Sequence, residues 1–163
     1  MTAFNIWLYN TGFSQWVRES GSLLAYPAFL FLHSIGLGIL VGLSWAFALR
    51  ILGVARQLPI APFENLFPLL WMGFGINAVS GVVLYAADAV NKWANPLFYV
   101  KLTLVALAVA NLALIKSKIF RDPYRKGDFL PLSAKVLAAA SLVLWAGVIT
   151  AGRLMAYWKE TAQ

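Results

Sequence analysis

The chain has 163 residues, of which 61% are hydrophobic and 12% charged, and its mean hydropathy is +0.76. Soluble domains contain about 45–50% apolar and about 25% charged residues, so this composition argues against a water-soluble globule and for one membrane domain spanning residues 1–163. The absence of cysteine removes disulfides and iron–sulfur clusters, and the single histidine removes most other metal constellations. Basic loops of a membrane protein explain the net charge of +7 without a nucleic acid partner.

The first twenty residues are rich in aromatic side chains but lack the basic start and continuous apolar core of a signal peptide. Aromatic residues of this kind suit the boundary between hydrocarbon and water, where an amphipathic segment lies flat. They are Phe4, Trp7, Phe13 and Trp16. We therefore expect residues 1–20 to remain in the mature chain as an interfacial segment, interrupted near Gly12.

Four windows are apolar over about the 20 residues that a helix needs to cross the hydrocarbon core. They cover residues 23–49, 66–87, 97–115 and 136–158. The runs are continuous, without the alternation that separates the two faces of a membrane β-strand. The predicted fold class is therefore an all-α integral membrane protein, a four-transmembrane-helix bundle preceded by the interfacial segment.

Prolines mark the expected starts of these helices, because a missing backbone donor is tolerated in a first helical turn. Pro68 falls in the first turn of the second span, and Pro96 falls just before the third. Pro131 precedes Ser133, which we expect to cap the fourth span. Pro27 lies inside the first predicted span, where we expect it to kink the helix.

Basic residues are divided unevenly between the two sides of the membrane. Segments 50–65 and 116–135 together contain eight Lys and Arg residues, whereas the other side has only Arg18, Lys92 and Lys159 outside the spans. Because cytoplasmic loops retain Lys and Arg during insertion, we expect a bacterial inner-membrane protein with both termini in the periplasm. The basic 116–135 loop is expected to contact anionic lipid headgroups of the bilayer rather than nucleic acid.

Small residues recur at helical spacing on the first two spans. The first span has Ser34, Gly38, Gly42 and Ala46, and the second has Gly73, Asn77, Ser80 and Gly81. Small side chains let two helix backbones approach closely. We therefore expect tight helix packing, within a subunit or between subunits, and association into a homo-oligomer or a larger membrane complex.

His33 is the only histidine and lies ten residues past Leu23, roughly 15 Å into the membrane at ~1.5 Å per residue. An imidazole at this depth either hydrogen-bonds across the bundle or serves as an axial ligand of haem iron, for which one histidine suffices. Gly36, one turn along the same face, is expected to leave room for a flat macrocycle.

Lys101 and Arg153 are the only formally charged residues within the predicted spans. Both lie close to the side of the termini, where they either reach the headgroups or form an anion site together. Haem b, an amphiphilic dianion, fits this arrangement. We expect His33 to bind its iron and the two cations to contact its propionates. Thr150, one turn before Arg153, is expected to complete this site. Asp88 is a competing partner for either cation.

Three parts of the chain carry a resemblance to known proteins: RESGSLLAYPAFLFLHSIGLGILVG followed by ALRILG, WMGFGINAVSGVVLY, and NPLFYVKLTLVALA. There the chain resembles an uncharacterised family of bacterial four-span inner-membrane proteins. It is also similar to the copper-resistance D-type membrane domain and, more distantly, to the J-type protoporphyrinogen oxidase, a haem-binding four-helix protein. The oxidase resemblance implies functional roles for His33 and Lys101. Leu30 and Ala48 stand where the four-span family often has acidic residues.

These observations predict a b-type haem-binding membrane protein in electron transfer or haem-linked redox chemistry. The predicted cofactor-binding residues are His33, Gly36, Lys101, Thr150 and Arg153, with His33 as the metal ligand. The alternative is a non-catalytic accessory or assembly subunit of a larger membrane complex, which would use its aromatic belts and glycine stripes as interfaces.

Overall fold

The structure is a computed structural model that describes residues 2–120 and 130–158. Within these two ranges every regular element is a helix and no strand occurs. Four of the described helices are long and apolar enough to cross a membrane. The predicted all-α class, with four helices that could span a membrane, is therefore confirmed.

Two short helices precede the spans, α1 (Ala3–Tyr9) and α2 (Gly12–Glu19). The side chain of Thr11 caps α2 by accepting a hydrogen bond of 3.3 Å from the backbone N–H of Ser14. The expected interruption near Gly12 is thus the start of a new helix, and the N-terminal segment is not one continuous element.

Both short helices are anchored to the end of the second span. The Tyr85 hydroxyl donates to the side-chain oxygen of Asn5 over 3.0 Å, and the Arg18 guanidinium donates to the carbonyl of Ala87 over 3.3 Å. The aromatic side chains singled out above stay exposed on this segment: Phe4, Trp7, Phe13 and Trp16. Exposed aromatic rings at the end of an apolar bundle are typical of a membrane interface.

The remaining elements, in chain order, are α3 (Tyr26–Leu52), a 3₁₀ helix (Ala61–Leu66), α4 (Phe67–Ala87), α5 (Ala89–Ala94), α6 (Pro96–Ile115), a π-helical turn (Lys116–Phe120) and α7 (Leu132–Met155). The third span agrees with its predicted bounds to within one residue. The first begins three residues later than predicted, and the fourth begins four residues earlier.

Proline chemistry explains both shifts. Helix α3 begins at Tyr26 with Pro27 in its first turn, so the predicted kink is wrong: Pro27 starts the helix, where its missing N–H has no intrahelical partner to lose. Pro131 itself is the N-cap of α7, and Ser133 lies inside the helix, so the predicted serine cap is also wrong. Pro68 and Pro96 lie in the first turns of α4 and α6.

The spans pack in the order α4, α3, α7, α6, with α3 and α7 in the middle. We call the end where α3 and α6 begin the N-terminal end, and the opposite end the loop end. A cluster of aromatic rings fills the loop end: the ring of Phe47 lies 4.9 Å from that of Phe67, and the ring of Phe120 lies 5.2 Å from Phe67. These rings therefore form part of the bundle's apolar core at the loop end.

The two small-residue faces have different environments. The α4 face, made of Gly73, Asn77, Ser80 and Gly81, packs against α3, which confirms tight packing within the subunit for this face. The α3 stripe faces outward, and all of its members are exposed: Ser34, Gly38, Gly42 and Ala46. A side chain added at Gly38 or Gly42 would meet no atom within 4 Å. Among the described residues this stripe is therefore not part of the packed interior.

Candidate functional site

A cavity of about 630 Å³ opens at the N-terminal end of the bundle. Its walls come from α3, α6, α7 and the connection that contains α5. Three of the five predicted site residues, His33, Lys101 and Arg153, line this one cavity. The other charged and amide side chains in its wall are Asp88, Asn91, Lys92 and Asn95.

The ring of His33 is fixed by α4. Its Nδ1 lies 3.0 Å from the backbone carbonyl oxygen of Asn77 and 3.2 Å from the hydroxyl of Ser80. A carbonyl oxygen only accepts, so Nδ1 carries the hydrogen of this bond. In the neutral ring Nε2 then keeps its lone pair, and Nε2 is the nitrogen left to act as a ligand.

Asn77 also holds the backbone of His33. Its side-chain amide donates to the carbonyl oxygen of His33 over 2.8 Å. The Ser80 hydroxyl, beside the ring, donates to the carbonyl of Ile76 over 2.6 Å. These bonds fix both the position of His33 and the direction of its ring.

Glycines allow the α3–α4 contact to be this close. A Cβ atom on Gly36 would lie 2.6 Å from the backbone nitrogen of Asn77 and 2.8 Å from the carbonyl oxygen of Gly73. The prediction that Gly36 leaves room for a macrocycle is therefore wrong, because the α4 backbone fills that space. Gly36 instead lets the two helices meet at a distance from which His33 reaches the Asn77 carbonyl. A Cβ on Gly81 would lie 3.1 Å from the His33 ring.

Lys101 lies in the second turn of α6 and is half-buried. Its ammonium nitrogen would be 3.8 Å from a Cβ placed on Gly152 of α7. Among the described residues we find no hydrogen bond or ion pair made by this ammonium group. A half-buried cation of this kind attracts an anion more strongly than one in open water, since the surrounding dielectric is lower.

Asp88, the competing partner considered from the sequence, is engaged elsewhere. One of its carboxylate oxygens lies 3.0 Å from the ammonium of Lys92, and the other accepts from the side chain of Asn91 over 2.7 Å. The structure therefore pairs Asp88 with Lys92, and not with Arg153 or Lys101.

Arg153 lies in the last turn of α7, exposed, with its guanidinium carbon 5.4 Å from the ring centre of Tyr157. Thr150 is exposed and does not belong to the cavity wall. The structure thus brings Arg153 to the cavity without Thr150.

Sequence reasoning missed most of the polar wall supplied by the α4–α6 connection. Lys92 and Asn91 lie on the short helix α5, and Asn95 is the N-cap of α6, where its side chain accepts from the Leu97 N–H over 3.0 Å. Asn95 also donates to the carbonyl of Met155 over 3.4 Å, which ties α6 to the end of α7. The signal available in the sequence was the Asn-Pro pair before the third span, a common way to begin a helix.

The described wall carries three cations and one carboxylate, hence two net positive charges with His33 neutral. Over the described ranges no group of three His, Asp or Glu side chains forms a metal site of its own. The cavity is thus suited to an anionic ligand, with one imidazole available to a metal that such a ligand carries.

No family model, curated protein or solved structure matches this chain. The resemblance to the four-span family and to the haem-binding oxidase therefore stays a prediction. Four of the basic residues used to predict orientation lie outside the described residues: Arg121, Arg125, Lys126 and Lys159.

Proposed function

We propose that this chain is a b-type haem-binding inner-membrane protein that serves electron transfer or haem-linked redox chemistry. One observation carries the proposal: the only imidazole shares a cavity with two cations that have no carboxylate partner among the described residues. His33 is the proposed axial ligand, and Lys101 and Arg153 are the proposed partners of the two propionates.

The donor set fits this cofactor. A ligating histidine usually donates its second ring N–H to a carbonyl or carboxylate, which fixes the ring and raises its basicity, and His33 has such a bond to Asn77. The two net positive charges of the wall match the two carboxylates of haem b. A volume of about 630 Å³ lies inside the range of about 300–1,000 Å³ that is usual for small-molecule and cofactor sites.

Bound haem would supply reversible one-electron chemistry at iron. The protein would contribute the axial nitrogen, the charge balance of the propionates and apolar contacts from Leu30 and Met155, and each of these would influence the potential. Lys92 has a positioning role in this scheme, because it holds Asp88 over 3.0 Å and so keeps that carboxylate away from the propionate partners.

Titration of haem into the haem-free protein in detergent tests the proposal through difference absorption at the Soret band. We expect His33→Ala to abolish the ligated spectrum. Lys101→Gln and Arg153→Gln should each weaken binding by about 10- to 100-fold, the range for hydrogen bonds to charged groups. Lys118→Gln is the matched control, since Lys118 is exposed at the loop end. Unchanged binding by His33→Ala would rule out the proposed ligand.

The outward stripe on α3 supports a further part of the proposal, association with a helix of another chain. Gly38 and Gly42 leave the α3 backbone open on its outer face, as required for close helix–helix contact in lipid. A second copy of the chain is the partner we propose. The same stripe is the observation that favours the alternative function of an accessory subunit, which would co-purify with a larger membrane protein and carry no chromophore.

A further inference from the structure

The loop end contains a second polar site, built on the turn that follows α3. Gly53 ends α3 in the left-handed region, with φ of 104°, and its N–H bonds the carbonyl of Leu49 over 3.1 Å. Arg50, only 5% exposed, donates from Nε to the carbonyl of Leu58 over 2.6 Å and from Nη2 to the carbonyl of Arg56 over 3.4 Å. These bonds hold the loop against the end of the bundle.

A cavity of about 200 Å³ lies beside this turn. Arg50, Arg56 and Lys135 line it together with the apolar side chains of Ile51 and Leu130. Of these cations, Arg56 and Lys135 have no carboxylate partner among the described residues, whereas Arg50 is engaged in the bonds given above. The Arg56 side chain lies across Gly53, where a Cβ atom would be 2.9 Å from its Nε, so the turn sets the position of this guanidinium.

An exposed apolar stripe on α7 begins between two members of the cavity wall, Leu130 and Lys135. Leu132, Val136 and Val143 are 76%, 59% and 71% exposed, and their spacing puts them on one face of the helix. Lys135, a member of the cavity wall, lies between the first two in sequence. A cationic cavity that adjoins an apolar helix face is complementary to an amphiphile with an anionic head.

We propose that the loop-end cavity binds an anionic phospholipid. Arg56 and Lys135 contact the phosphate, and Leu132 and Val136 contact the acyl chains. Basic residues at the ends of transmembrane helices lie at the level of the lipid headgroups. Each Lys or Arg there adds to the affinity for anionic lipid. The site lies at the opposite end of the bundle from His33, so it does not depend on haem binding.

Native mass spectrometry of the full chain tests this, by comparing how much phosphatidylglycerol and phosphatidylcholine with identical acyl chains remain bound. We expect phosphatidylglycerol to be retained preferentially. Arg56→Ala and Lys135→Ala should each reduce its occupancy about fivefold, the factor that corresponds to about 1 kcal/mol per cation. Lys118→Ala removes an exposed cation at the same end and outside the cavity wall, and it should change the occupancy little. Lys135→Arg keeps the charge and should retain the lipid.

Three results would overturn the proposal. Equal retention of the two lipids would remove the requirement for an anionic head. A loss in Lys118→Ala as large as in Lys135→Ala would mean that diffuse positive charge, and not this cavity, attracts the lipid. Displacement by inorganic phosphate at the same concentration as phosphatidylglycerol would make this a site for free phosphate. Unfolding midpoints close to that of the parent protein confirm that the variants are folded.

Discussion

His33 and Asn77 bind each other reciprocally across the α3–α4 contact. The ring nitrogen of His33 donates to the backbone carbonyl of Asn77 over 3.0 Å, and the Asn77 side chain donates to the backbone carbonyl of His33 over 2.8 Å. The direction of the imidazole is therefore set by how closely the two helices cross. Gly36 controls that distance, because the backbone of α4 occupies the space that a side chain at position 36 would need.

Gly36→Ala should destabilise the bundle, whereas Gly75→Ala should not. The added Cβ at position 36 would lie 2.6 Å from the Asn77 nitrogen, so the helices must separate, at a cost of about 1–3 kcal/mol or more. At position 75, which is exposed on α4, it would meet nothing within 4 Å, and higher helix propensity favours alanine by up to ~1 kcal/mol. Unfolding followed by circular dichroism in detergent measures both. Equal stability of the two variants would contradict the close contact at Gly36.

Asp88→Asn should strengthen haem binding. The substitution removes the carboxylate from the cavity wall and frees Lys92, so the net positive charge facing the propionates rises. We expect a gain of up to about fivefold, the size of a partly exposed ion pair. Glu19→Gln is the control, because Glu19 pairs with Arg18 over 2.7 Å at the same end of the bundle and outside the cavity wall. The same haem titration measures both, and weaker binding by Asp88→Asn would argue against an anionic ligand.

The spans were predictable because charge-free apolar runs are a strong signal, but their ends depended on local chemistry. Pro27 would kink the helix only if the helix started at Leu23, but the helix starts at Tyr26. Likewise, Pro131 is the N-cap of α7, so the helix starts at Leu132 and not at the predicted Val136. Hydropathy averages over a window, and it does not register which residue first adopts helical geometry.

The titratable residues of the candidate site could be predicted from the sequence, whereas the roles of their neighbours could not. His33, Lys101 and Arg153 stood out because polar groups in apolar runs are costly. The role of Gly36 was not predictable, since periodicity gives the face of a residue and not the helix that it meets. Thr150 is three positions from Arg153, about 60° around the helix at 100° per residue, enough to leave it outside the cavity wall.

Gly42→Leu should dissociate the proposed oligomer. A leucine in the middle of the exposed α3 stripe would hold a second helix away, while the chain itself has nothing within 4 Å to be disturbed. Gly75→Leu is a matched control, as Gly75 is equally open but lies on α4. Analytical ultracentrifugation in detergent should give a monomer for the first variant and the parent oligomer for the second. An identical oligomer in both would exclude this stripe as the interface.

Single cysteines should report the proposed orientation, because the parent chain has none. Ser22 is exposed at the N-terminal end and Ser117 is exposed at the loop end. With periplasmic termini, a membrane-impermeant maleimide added to intact cells should label Ser22→Cys and leave Ser117→Cys unlabelled until the cells are opened. The reverse pattern would invert the orientation.

Ligation of haem by His33 is tested most directly by one absorption spectrum. Protein purified from haem-replete cells is measured oxidised and dithionite-reduced, with haem quantified per chain, beside His33→Ala. We expect a Soret band with resolved reduced bands in the parent protein and the loss of these bands in the variant. A parent spectrum that contains only the ultraviolet absorption of its seven tryptophans and six tyrosines would contradict it.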